Sequence, residues 1–308
     1  MPNLKDIKNR IQSVESTKKI TRAMKMVAAA KVKRAECEVK ESRPFTQELN
    51  EMFAKLLNAV DCHSAVSLKI KHAIDNYPEL LKRREVKAVA LLVITSNKGL
   101  AGAYNANVIR KTIQTVEEYN AQGIKVFLFI VGQKGIGPLK RKCSAMDCEI
   151  VKTYLQIAND PSGGASMLVA EDMAEYFVDG RIDKIEVITT RFKNMMSYFT
   201  EMWEILPLKG FDESDNKEFE LDAVMEFVPD LHHILQKIVP LYITNIIYQS
   251  LLEAQASELA SRMTAMSAAS TNAEKMIHEL SVQYNRSRQD AITQELIEVV
   301  SGANAQAG

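Results

Sequence analysis

Two stretches at opposite ends of the chain constrain its fold most. One is IKNRIQSVESTKKITRAMKMVAAAKVKRAE near the start, and the other is NRSRQDAITQELIEVVSGA near the end. Both read as long helices, and strand-like and helix-like segments alternate between them. A chain built this way is expected to form a folded-back helical rod on a globular base. Such a rod transmits force or position and is a poor place for ordinary chemistry.

The first helix is expected over about residues 3–58. Leu4, Ile7, Ile11, Val14, Ile20, Met24 and Val27 recur at steps dominated by three and four, the seam of a helix lying on another helix. The step from Val14 to Ile20 breaks a strict heptad, so any supercoil should be irregular there. Pro44 is a candidate kink or end. Residues 1–34 hold ten Lys or Arg and only Asp6 and Glu15 as acids, whereas acids prevail from Glu253 to Glu298. A basic helix facing an acidic partner is one reading of this split, and two solvated faces that offset each other is the other.

The middle changes period. Val86–Thr95 and Ile124–Gly132 are continuous apolar, β-branched runs, the pattern of strands buried on both faces. Glu149–Leu155, Lys184–Phe192 and Tyr198–Leu208 are further strands. Gly102–Asn120, Gln133–Lys142 and Ser166–Asp179 read as helices. This alternation implies a largely parallel, Rossmann-like sheet with helices on its faces, and the last two strands should form an antiparallel hairpin on its edge. Helical signals return at Leu231, with Pro240 expected to start or kink that helix. Small residues crowd Ala254–Asn272 and match Ala28, Ala29 and Ala30, so two helices can approach closely. The expected domains are a first coiled-coil helix over 1–58, a helical linker over 59–84, an α/β domain over 85–208, an acidic loop over 209–229 and a second coiled-coil helix over 230–308.

Several functions are argued against. No apolar run is long enough to cross a bilayer, and the opening MPNLKDIKNR has neither the apolar stretch of a secretory signal nor the look of a transit peptide. Ser96–Tyr104 and Val131–Lys140 are glycine-bearing strand–helix loops, but neither has the spacing of a phosphate loop or a dinucleotide fingerprint. His232 and His233 point about 100° apart on a helix and make a poor metal pair. No nucleophile motif occurs. Cys37, Cys62, Cys143 and Cys148 form no C-x-x-C and are expected as free thiols. No catalytic, cofactor or metal site is therefore expected. Nucleic-acid binding by the basic helix is disfavoured by the scarcity of aromatics among its cations.

The terminal segment Ile292–Ala303 resembles the signature of the gamma subunit of F-type ATP synthases, with Ile292, Thr293, Glu295, Glu298, Gly302 and Ala303 in place. Ile20–Ala35 resembles that family's other strong motif, Ser257–Ala273 a third, and Ala88–Asn105 its middle domain. The resemblance covers essentially the whole chain in the right order. It implies an α/β fold in which the N- and C-terminal helices form a long antiparallel coiled coil beside a Rossmann-like domain with a mostly parallel sheet.

It also implies partners and a role. The coiled coil would sit inside a ring of alternating alpha and beta subunits, and the middle domain against the epsilon subunit and the membrane c-ring. Ion flow would turn the shaft, which pushes each catalytic beta subunit through states of different nucleotide affinity, while this chain does no bond chemistry. Met24 and Lys25 match the family's contact region near an acidic loop of the beta subunits. Arg262, Arg288, Gln289, Thr293 and Glu295 match positions that contact beta subunits or brace the two helices. Ile292, Leu296, Val299 and Val300 would run in the ring's apolar bearing or else pack on the first helix. The resemblance implies a peripheral protein on the cytoplasmic face of a bacterial plasma membrane, with a thylakoid or other energy-transducing membrane as the alternative. Arg191–Leu208 lacks the insertion and cysteines of redox-switched relatives, so no thiol regulation is expected. The competing reading is a nucleotide-binding α/β protein with coiled-coil scaffold arms.

Overall fold

The computed structural model describes residues 4–58, 80, 84–207 and 231–307. The expected linker over 59–84 and acidic loop over 209–229 lie outside the described residues, apart from Leu80 and residue 84. The side chains of His232 and His233 also lie outside them.

Helix α1 spans Leu4–Asn58, followed by β1 (Ala88–Ile94), α2 (Tyr104–Ala121), β2 (Lys125–Val131) and α3 (Gln133–Cys143). Then come β3 (Cys148–Tyr154), α4 (Gly163–Val178), β4 (Lys184–Asn194), β5 (Ser197–Leu206) and α5 (Leu231–Ala307). The strands form one sheet in the order β3-β2-β1-β4-β5. The β1·β2, β1·β4 and β2·β3 pairs are parallel, and β4·β5 is the expected antiparallel hairpin. The β-branched central strands are buried on both sides because each face carries its own core. Ala90, Leu92 and Ile94 of β1 join one cluster with Phe129, Met173 and Phe177, and Val89, Leu91 and Val93 join the other with Val108, Leu139 and Ile188.

The chain divides into two compact units. One comprises residues 1–30 and 262–308, the helical unit, and the other residues 31–261, the α/β unit. In the α/β unit, Arg43 bonds Glu253 and Asn245 bonds Thr46, so the two terminal helices run antiparallel there. Small residues make that approach close. Ala256 and Ala260 of α5 pack with Val32, Ala35 and Val39 of α1 and with Phe192 of β4.

Three expectations change. Ile20 and Val27 are not seam residues, being 61% and 59% exposed. Up to residue 39, the buried and half-buried positions of α1 are instead 4, 7, 11, 14, 18, 21, 24, 28, 32, 35 and 39, with 29 and 36 half-buried beside them. This pattern keeps a near-regular heptad that the apolar residues alone conceal, because Lys18 and Thr21 occupy two of its places. Thr21 does so by turning its hydroxyl back onto the carbonyls of Thr17 and Lys18. Second, of the two roles expected for each proline, only the boundary role is overturned: Pro44 does not end α1, which runs on to Asn58, and Pro240 does not start α5, which begins at Leu231. Third, Cys143 and Cys148 are joined in a disulfide rather than free. The turn after α3 brings the chain back into β3, so the two Cα atoms lie 5.2 Å apart, inside the range a disulfide spans. Both cysteines lie outside Arg191–Leu208. Cys37 is free and exposed, and Cys62 lies outside the described residues.

Candidate functional site

An open parallel sheet normally holds its ligand at the carboxyl ends of its strands, where the strand order reverses. In this chain that place is filled from within. Thr189 of β4 donates to the carbonyl of Ser250 at 2.9 Å, and Ser261 of α5 donates to the carbonyl of Ala101 at 2.7 Å. Tyr104 donates to the carbonyl of Ile94 at 3.1 Å, and burial raises its phenol pKa far above the usual range.

The backbone N–H groups that would cradle a phosphate at the start of α3 are also taken. Gln133 N–H donates to Asn97 Oδ1 at 3.0 Å, Lys134 N–H to the Ser96 carbonyl at 3.0 Å, and Gly135 N–H to Thr95 Oγ1 at 3.0 Å. The glycines here serve that close packing. Gly132 has a φ of 90°, and a Cβ on it would lie 2.1 Å from the Thr95 carbonyl oxygen. The loop is therefore a tight backbone crossing rather than a nucleotide cradle. Among the described residues, no cluster of three or more His, Cys, Asp or Glu could hold a metal ion. No described helix is long and apolar enough to cross a membrane.

The α/β unit has a polar centre that the sequence did not reveal. Glu253 is 2% exposed. Its carboxylate accepts from Arg43 Nε at 2.9 Å, Arg43 Nη2 at 3.1 Å, Phe192 N–H at 2.8 Å and Gln249 Nε2 at 3.0 Å. Arg43 also donates to the Phe192 carbonyl. One carboxylate thus fastens α1, α5 and β4 together. The only signal in the sequence was an acid set in a run of small and apolar residues, SLLEAQASELA. A second buried carboxylate, Glu186, accepts from Lys184 at 2.6 Å and from the Tyr119 hydroxyl at 2.7 Å. Burial first, then that hydrogen bond, raises the Tyr119 phenol pKa far above its ordinary range.

The residues singled out for partner contact all fall in the helical unit. Met24 and Arg262 are half-buried, and Lys25 is exposed. Arg288, Gln289, Thr293 and Glu295 lie together on one stretch of α5, and all four are exposed. The helix brings Gln289, Thr293, Leu296 and Val300 onto neighbouring positions of one face. Thr293 returns its hydroxyl to the Gln289 carbonyl at 2.9 Å. The apolar stripe beside them is open. Ile292, Leu296, Val299 and Val300 are 48%, 61%, 69% and 57% exposed, so of its two expected uses, packing on the first helix is not the one observed. Further back along α5, Met266, Ala273 and Leu280 are buried at seven-residue spacing. There Lys18 of α1 meets Glu274 at 2.7 Å, which holds the Glu274 carboxyl below its usual pKa.

This stretch of α5 is long, apolar and rimmed by polar side chains. Comparison with known proteins identifies the family. A family model described as ATP synthase matches residues 3–306. The ATP synthase gamma chain of Gloeothece citriformis (strain PCC 7424) is 40% identical over 99% of this chain and 100% of its own length. That of Gloeobacter violaceus (strain ATCC 29082 / PCC 7421) is 38% identical with the same coverage. The first alignment runs to 328 positions against a chain of 308, so that relative carries residues this chain lacks. Among solved structures, a chain of the Euglena gracilis mitochondrial ATP synthase (OSCP/F1/c-ring, rotational state 3) superposes with a TM-score of 0.64 at 16% identity, covering 98% of this chain and 94% of that one. A chain of the Tetrahymena thermophila mitochondrial ATP synthase central stalk and c-ring gives 0.54 at 22% identity, covering 82% and 99%. These two likenesses speak for the fold, and the sequence matches for the family. With a family model over nearly its whole length and relatives at about 40% identity from end to end, this chain belongs to the gamma chains of ATP synthase.

Proposed function

We propose that this chain is the central-stalk rotor subunit of an F-type ATP synthase, coupling ion flow through the membrane sector to ATP synthesis or hydrolysis at sites carried by alpha and beta subunits. It is a non-catalytic, peripheral, membrane-associated subunit. The observation that carries the reading is the open stripe of α5. Four large aliphatic side chains at 292, 296, 299 and 300 stand exposed beside Arg288, Gln289, Thr293 and Glu295. Burying one such side chain is worth about 1.5–3 kcal/mol. A ring of subunits closing around the stripe recovers that energy, and an apolar sleeve without directional bonds lets the helix turn. Arg288 and Gln289 engage one beta subunit at a time, and Met24, Lys25 and Arg262 make a second contact zone. Thr293 and Glu295 contact the ring or brace the helix beside it. The α/β unit takes the epsilon subunit and the c-ring. The location that fits is the cytoplasmic face of a bacterial plasma membrane, with a thylakoid membrane as the alternative.

The test is reconstitution. This chain is combined with the matching alpha and beta subunits, and complex mass and ATP hydrolysis are measured with and without it. A complex of three alpha, three beta and one of this chain, with sustained turnover, supports the reading. Arg288→Ala with Gln289→Ala should lower turnover about tenfold while leaving the fold intact. Absence of assembly and unchanged hydrolysis would sink it. The competing reading, a nucleotide-binding α/β protein, predicts tight binding of an ATP or NAD analogue to the isolated chain; the occupied N–H groups of Gln133, Lys134 and Gly135 count against it.

A further inference from the structure

One face of α5 in the α/β unit is polar although it is buried. Ser250, Glu253, Ser257 and Ser261 are each no more than 6% exposed. At 3.6 residues per turn, steps of three, four and four place them within an arc of about 80°, rising roughly 16 Å along the helix. Every one of these positions is keyed to the sheet or its loops. Thr189 of β4 donates to the Ser250 carbonyl at 2.9 Å, and the Phe192 N–H of β4 donates to the Glu253 carboxylate at 2.8 Å. Ser257 donates to the Thr190 carbonyl at 3.4 Å. Ser261 donates to the Ala101 carbonyl at 2.7 Å and meets the Tyr198 hydroxyl of β5 at 2.9 Å. Arg43 brings α1 into the same row, donating to both Glu253 oxygens and to the Phe192 carbonyl.

Packing alone does not call for such a row. Apolar contact has no direction, so a helix on a purely apolar bed resists turning only where side chains collide. A hydrogen bond weakens steeply once its angle falls below about 120°. A line of hydrogen bonds on one helix face therefore opposes rotation of the helix about its own axis. The guanidinium of Arg43 adds a fixed fork to that line.

We propose that this buried polar row, with Glu253 at its centre, is the torque joint of the chain, where rotation delivered to the sheet passes into the stems of α1 and α5. The inference rests on the rotor reading above. Each stem belongs to one helix, Leu4–Asn58 or Leu231–Ala307, so a turn imposed on it in the α/β unit is carried along that helix. Glu253 is a positioning residue: it holds β4 and the two stems in one angular register.

The experiment uses the complex of alpha and beta subunits with this chain, its ring fixed to a surface. A bead is attached through Met196→Cys in the turn between β4 and β5, where the native side chain is 90% exposed. Cys37 and Cys62 are replaced by serine. The angular variance of the bead is read while a non-hydrolysable ATP analogue halts rotation, and ATP-driven rotation is recorded afterwards. Glu253→Gln should widen the variance about twofold, because it strips the charge from bonds roughly twice as strong as their neutral counterparts. ATP turnover per assembled complex, free of load, should stay unchanged. Thr189→Val with Ser257→Ala removes two hydroxyl donors and no charge. That pair should widen the variance less, and it keeps the test decisive if Glu253→Gln does not assemble. A role in stability alone would lower the yield of complex and leave the variance of each molecule where it was. Unchanged variance in the variants that assemble would overturn the joint and leave the rotor reading standing. A bead that never turns with ATP on the native chain would overturn both.

Discussion

The two units of this chain stabilise themselves differently. In the α/β unit, long-range contacts bury whole strands, and Glu253 ties three elements with four hydrogen bonds. In the helical unit, a narrow seam of Ile7, Ala28, Met266, Ala273 and Leu280 does most of the packing, and large aliphatic residues of α5 stand in the open. The α/β unit carries a buried core on each face of its sheet. The other shows more apolar surface than a monomer needs, which is how an interaction surface looks before its partner arrives. The difference teaches where to look for function: in the unit whose stability is left unfinished.

The comparison can be broken most sharply at Gly132. A side chain there meets the Thr95 carbonyl oxygen at 2.1 Å and a φ of 90° that other residues rarely adopt. Gly132→Ala should cost about 4 kcal/mol, read as a fall in the urea midpoint of the full chain. A loss under about 1 kcal/mol would mean that the crossing of β1 and β2 is far softer than it looks. Next comes Glu253→Gln, which keeps the shape but leaves the Arg43 guanidinium without its carboxylate. Because Arg43 is a third exposed, the expected loss sits at the low end for a broken pair, about 3 kcal/mol.

The helical unit should behave in the opposite way. Leu296→Ser should change the stability of the isolated chain by no more than about 0.5 kcal/mol, because that side chain is mostly in water already. In the reconstituted complex the same change should weaken assembly about tenfold, measured by native mass. A stability loss as large as that of Glu253→Gln would erase the distinction between the units.

The smallest effect concerns pH. Lys18 lowers the Glu274 carboxyl pKa, so that pair contributes stability above the ordinary carboxylate pKa, and the contribution is lost as pH falls through the lowered value. Glu274→Gln should therefore flatten the acid limb of the stability curve slightly and leave neutral pH nearly unchanged. A drop confined to neutral pH would assign Glu274 another role.

Much of the architecture was legible in residue order. Each of the five strands was placed within about two residues of its final bounds, an accuracy typical of strongly patterned segments, because runs such as AVALLVI and KVFLFIV have one physical reading in a soluble chain. The exposed stripe of α5 was legible as well, but only as a choice between two uses. Where the reading failed, polar residues stood in for apolar ones. The heptad of α1 was judged broken because Ile20 was counted and Thr21 was not, yet Thr21 is buried with its hydroxyl satisfied locally. The disulfide was missed because two cysteines five residues apart approach only if a helix ends between them and the chain turns back. Glu253 was missed because nothing local distinguishes a buried acid from a solvated one.

The sequence by itself determined the secondary structure, the parallel sheet and the family, since periodicity and motif spacing are properties of neighbouring residues. The tertiary structure alone decided which polar groups meet. It closed the sheet's ligand crevice with α5 and gathered Arg43, Phe192 and Gln249 around the Glu253 carboxylate. Those outcomes depend on contacts between residues far apart in the chain, and a buried charge or carbonyl takes its energy from what lies across from it, not from what precedes it.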